Sequence, residues 1–152
     1  MCIVAVLLFV LESLGEGLMP TDHYFTLLHI MLLYETSHQL HAIQTILRDA
    51  QPFAKILLER IITTLSQLAF TCAFLYSSSP ADPIDHRTAA RKGIVRVITP
   101  ILIRSLGSPK TTSGEREACE EAVDLMLEHP SDVLFEIRKE IETMNVEMYS
   151  DS

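Results

Sequence analysis

Along most of the chain, apolar residues recur at three- and four-residue steps rather than in strict alternation. That is the period of helices packed by one face. Residues 21–36 predict one such helix, with Tyr24 a turn ahead of Leu27, Leu28, Met31 and Leu32. Residues 37–50 predict the next, striped by Leu40, Ile43, Ile46 and Leu47. The two are read either as one continuous helix or as a pair broken at Ser37. Pro52 restarts the pattern, because proline suits a first helical turn and not an interior.

From Pro52 to Tyr76 runs the longest expected helix, with a wide apolar arc from Phe53 and Ile56 to Phe74 and Leu75. Its charges, Lys55, Glu59 and Arg60, lie near its start. The C-terminal half therefore reads as buried on most sides, and the helix as the centre of the core. Linkers are expected near residues 77–84, where Pro80 and Pro83 follow a run of serines, and near residues 107–114.

Between these linkers, Asp85 is the expected cap of a helix over residues 86–106, with Pro100 expected to kink or split it. Ser113 or Gly114 opens a Glu-rich helix carrying Ala118, Ala122, Leu125 and Met126 inward. His129-Pro130 stops that helix. Ser131 or Asp132 caps a last one, with Leu134, Ile137, Ile141 and Met144 in step and residues 148–152 a frayed tail. The helix starts are unevenly spaced, so no fixed repeat period emerges. The expected fold is all-α: a single domain over residues 1–147 with about six or seven helices. It is either an irregular armadillo- or HEAT-like stack of antiparallel hairpins or a compact bundle.

Residues 2–11 (CIVAVLLFVL) are wholly apolar. No basic residue precedes them, Glu12 and Glu16 follow, and the run falls short of the roughly 18–20 residues that span a bilayer. Residues 2–14 are read first as a buried helix. A signal or anchor and an interfacial helix are the competing readings, and so is the opening of a fragment of a longer repeat protein.

Charge sharpens the picture. The net of −8 argues against a general nucleic-acid binder. Residues 1–80 carry three basic and six acidic side chains, residues 81–110 six and two, and residues 111–152 three and twelve. A basic middle and an acidic end either attract each other within the fold or offer patches to partners. Arg87, Arg91, Lys92 and Arg96 are the candidate partner-binding residues, with an open solvated face as the plainer reading. Three scattered cysteines, Cys2, Cys72 and Cys119, make no disulfide framework and fit a reducing, intracellular setting, cytoplasmic or nuclear. Cys72 reads as a small buried hydrophobe.

Chemistry has little to stand on. Glu35, His38 and His41, with His23 and His29 nearby, have metal-ligand types, but no second Glu-x-x-His supplies the matching half of a site. A polar helix junction is the better reading. No nucleophile elbow and no glycine-rich phosphate loop occurs, so neither an enzyme nor a cofactor is expected.

The long helix ending in Leu75-Tyr76-Ser77-Ser78-Ser79-Pro80, the polar linker, and the helix resuming at Asp85-His86-Arg87 resemble the terminal part of a large α-helical scaffold nucleoporin. The resemblance spans residues 20–106 and consists of helix lengths and a linker. It implies a non-enzymatic structural role at the nuclear pore through helix-to-helix contacts. The chain is far shorter than that family and has no phenylalanine-glycine repeats, and no functional residue is carried over. The expected function is thus a non-enzymatic interaction or scaffold module. The alternative is a membrane-associated protein using residues 2–14 and the basic helix 86–106.

Overall fold

A computed structural model describes residues 23–75, 83–103 and 112–150, with side chains over 23–72, 88–103 and 112–147. The expected first helix at residues 2–14 lies outside the described residues, as do residues 151–152. All seven described elements are helices: α1 (Tyr24–Leu33), α2 (Thr36–Arg48), α3 (Pro52–Leu75), α4 (Pro83–Leu102), α5 (Ser113–Glu128), α6 (Pro130–Val133) and α7 (Phe135–Ser150).

α1 and α2 are separate, and the break falls at Tyr34–Glu35, ahead of Ser37. Tyr34 turns extended at φ −119° and ψ 159°, while its N–H still bonds the Ile30 carbonyl. The last carbonyls of a helix lack intrahelical donors. Here the Gln39 side-chain amide donates to the Met31 carbonyl at 3.2 Å and the Tyr34 carbonyl at 2.9 Å. His23 Nε2 sits 2.9 Å from Asp49 Oδ2, so the start of α1 meets the end of α2. α2 buries Ile43, Ile46 and Leu47, the stripe read from the sequence.

α4 begins at Pro83, two residues before the expected cap Asp85, which lies in its first turn. Pro100 does not split it. Proline forfeits one backbone hydrogen bond, and in the last turn few others depend on it. The buried Thr99 hydroxyl donates to the Val95 carbonyl at 2.6 Å, and Ile103 N–H closes on the Thr99 carbonyl at 2.9 Å. α5 starts on a reciprocal capping box absent from the sequence reading. Glu115 N–H donates to Thr112 Oγ1 at 3.2 Å, and Thr112 N–H donates to Glu115 Oε2 at 3.1 Å.

The expected last helix is interrupted at Leu134, which adopts φ −91° and ψ 0°. Hydrogen bonds still run across the step, from Leu134 N–H to Pro130 and from Arg138 N–H to Leu134. α7 extends to Ser150, so residues 148–150 of the expected tail are helical, and residues 151–152 lie outside the described residues.

The core is centred on α5, not on α3. α5 packs on α1, α2, α3, α4 and α6. Its Cys119, Ala122, Val123 and Met126 are wholly inaccessible. Its small residues Ala118, Cys119 and Ala122 let neighbouring helices come close. In contrast, the C-terminal half of α3 leaves Leu68 and Phe70 exposed. Of the two described cysteines, Cys72 is half-buried and Cys119 is enclosed in the core.

A solenoid repeat touches only its neighbours in sequence. Here α1 packs on α5, and α2 on α6 and α7. The described helices therefore form a closed bundle. Polar ties cross it: Lys55 Nζ to Glu140 Oε2 at 2.6 Å, Arg138 Nη2 to Thr63 Oγ1 at 3.0 Å, the Ser66 hydroxyl to the Leu127 carbonyl at 2.9 Å, and the Gln44 amide to the Asp132 carbonyl. No described helix is long and apolar enough to cross a membrane.

Candidate interaction groove

The basic helix and the acidic end meet where α4 packs on α5. On α4, Val95, Ile98 and Leu102 turn into the core. That rotation brings Arg91, one turn before Val95, to the seam between the helices. Arg91 is only 8% exposed. Its Nε donates to Asp124 Oδ1 at 2.6 Å, and its Nη2 lies 3.7 Å from Glu128 Oε2. Asp124 and Glu128 stand one turn apart on α5, so one guanidinium fork spans both carboxylates. The open solvated face expected for the four basic residues thus loses Arg91, whose charge is satisfied inside the fold.

Lys92 and Arg96 point the other way. Both are exposed, and with Val95 they form one wall of a groove of about 240 Å³. Glu117, Glu120, Glu121 and Asp124 form the other wall, at three- and four-residue steps along α5. Lys92, Arg96, Glu117, Glu120 and Glu121 make no ion pair among the described residues. The groove thus presents two cations facing three unneutralised carboxylates, with one apolar side chain at its floor. Val97, beside Arg96, is 55% exposed and extends that edge. Arg87 belongs to α4, but its side chain lies outside the described ones.

The junction of α1 and α2 is polar, as expected. Glu35, His38 and His41 are exposed, and the Tyr34 ring lies 6.1 Å from that of His29 and 6.0 Å from that of His38. Among the described residues, no group of three or more His, Cys, Asp or Glu side chains is placed to hold a metal.

Among the described residues two titratable groups are strongly shifted, and both are in the core rather than the groove. Burial raises the Tyr24 phenol from 10.0 to about 12, with Cys119 and Glu115 adding to it. Burial raises the Cys119 thiol from 9.0 to about 11, while its contact with Tyr24 pulls the other way. A thiol held protonated is a poor nucleophile, so Cys119 acts as packing. The Tyr24 hydroxyl is buried without a full hydrogen-bond partner, since the thiol against it is a weak acceptor.

Compared with known proteins, the chain matches no family model, no curated protein and no solved structure.

Proposed function

We propose that this protein is a non-enzymatic interaction or scaffold module that holds partner helices against the α4–α5 edge. The observation that carries the reading is the division of labour on α4. Arg91 is consumed by Asp124 and Glu128 and locks the two helices together. Lys92 and Arg96 keep their charge available beside Glu117, Glu120 and Glu121. A fixed row of opposite charges favours a partner of matching pattern and repels others, which supplies specificity more than raw affinity. A place in a larger helical assembly such as the nuclear pore is part of this proposal and rests on the resemblance in helix lengths.

The alternative, docking of the basic helix on an anionic membrane, has less support. An anionic surface would approach Lys92 and Arg96 only by also approaching the acidic wall of α5, and like charges oppose that. Affinity purification with the full chain and with K92E/R96E tests the proposal. Proteins retained by the wild type and lost with the variant are expected, with unchanged helical content by circular dichroism. Identical sets of bound proteins would reject it.

A further inference from the structure

The seam between α4 and α5 has a counterpart on the outer surface that lacks its other half. Within the seam, Arg91 lies across Asp124 and Glu128, two carboxylates one turn apart on α5. Further along the same two helices, Arg96 stands on α4, and Glu117 and Glu121, again one turn apart, stand on α5, all three exposed. Neither they nor Lys92 make an ion pair among the described residues. The set that locks the helices together inside is repeated outside, with cations and carboxylates held apart on opposite walls of one groove.

We propose that this groove is closed by the same groove of a second copy of the chain, related to the first by a two-fold axis running along it. The proposal rests on the reading of the α4–α5 edge as an interaction surface and names its partner. A half-turn about an axis parallel to the helices exchanges the walls, so that the second copy's α4 lies over α5 and its α5 over α4. Lys92 and Arg96 of each copy then face Glu117 and Glu121 of the other. A two-fold axis lying across the groove would instead set cation on cation and carboxylate on carboxylate, which like charge opposes. The charge pattern selects the first arrangement.

The groove, at about 240 Å³, admits the ends of side chains and not a whole helix about 10–12 Å across, so its occupant is a surface bearing charged side chains. Exposed Gly93, with open space where a Cβ would stand, and exposed Val97 one turn on keep that side of α4 low, and a facing helix can come close. An unrelated partner must bring a basic and an acidic row at this same spacing. A second copy carries both by construction. The net charge of −8 opposes two chains at long range. Screening beyond about 8 Å at physiological ionic strength leaves the contact between the rows to decide.

Sedimentation velocity of the full chain over a range of concentrations tests the proposal, and the wild type is expected to form a dimer. K92E/R96E makes both walls acidic, and E117K/E121K makes both largely basic. Each variant is expected to weaken self-association by about a hundredfold or more, with helical content by circular dichroism unchanged. Mixed in equal amounts, the two variants should recover a one-to-one dimer, because each row then meets the opposite sign.

A monomeric wild type overturns the proposal. So does a dimer that survives both reversals, which assigns self-association to another face, such as the exposed Phe25, Leu32 and Leu33 of α1. Loss in both variants without recovery on mixing overturns the two-fold arrangement. The broader reading of the edge is judged separately: it outlives a monomeric wild type if K92E/R96E still loses proteins that the wild type retains from a lysate, and falls with it if the retained sets are identical.

Discussion

Arg91 Nε and Asp124 Oδ1 lie 2.6 Å apart across the seam between α4 and α5, the arginine almost wholly enclosed. Removing one partner from such a pair costs more than removing both, because the survivor is left charged and dehydrated. D124N is expected to lower stability by about 2 kcal/mol, Glu128 compensating in part, whereas R91L/D124L should stay within about 1 kcal/mol of the wild type. Urea denaturation of the two variants measures the difference. Equal losses in both would show that the pair is not desolvated.

The capping box at the start of α5 makes a second prediction. T112A removes the acceptor for Glu115 N–H and should cost about 1 kcal/mol. Thermal melts followed at 222 nm would register it. An unchanged midpoint would mean that water replaces the cap without loss.

Tyr24 and Cys119 set an alkaline limit. Their protons are held more tightly in the fold than in the unfolded chain, whose values are the ordinary 10.0 and 9.0. Their contribution is complete below pH 9.0. It is lost as pH rises through about 11 for the thiol and about 12 for the phenol. Y24F should shift the upper part of that limb to higher pH. It should hold or raise neutral-pH stability by up to about 1 kcal/mol, because it deletes a buried hydroxyl that lacks a full partner. Chemical denaturation at pH 8 and at steps up to 12 resolves both effects, and a neutral-pH loss in Y24F would contradict the second.

The place of α5 at the centre is testable by crowding it. A122L inserts bulk at a fully buried position and should destabilise by about 1–3 kcal/mol. L68A, on the partly open side of α3, should cost less than about 1 kcal/mol. The reverse ranking, read by differential scanning calorimetry, would return the centre to α3.

These contrasts mark how much of the molecule is legible in its residues. Pro52 opens α3 and Pro130 opens α6, because a proline's missing N–H costs nothing in a first turn. The stripe Ile43, Ile46 and Leu47 is buried as its spacing requires. The break between α1 and α2 has no such signal, since no glycine or proline marks it and a side chain five residues on, Gln39, completes it. The centrality of α5 was hidden because Ala118 and Ala122 look weakly apolar, and their value lies in closeness rather than area.

The groove was half legible. The basic middle and acidic end predict attraction, but helical spacing alone does not say which arginine turns inward. That choice follows from Val95 and Ile98 taking the core side, which carries Arg91 to the seam and leaves Lys92 and Arg96 outside. The Thr112-x-x-Glu115 pattern, by contrast, stands in the sequence as a recognisable capping signal.

A centre built from Ser113–Glu128 has a consequence for how the chain becomes a fold. Synthesis delivers α1, α2, α3 and α4 before the helix they all pack on, so their inner faces have no common partner until residue 128 has emerged. The α3–α4 pair is local, but joining it to α1 and α2 runs through α5, and such non-local contacts slow folding. Nascent chains ending before α5 hold the α1–α2 and α3–α4 pairs without the helix that packs on all four, and incompletely packed chains of that kind are what chaperones hold.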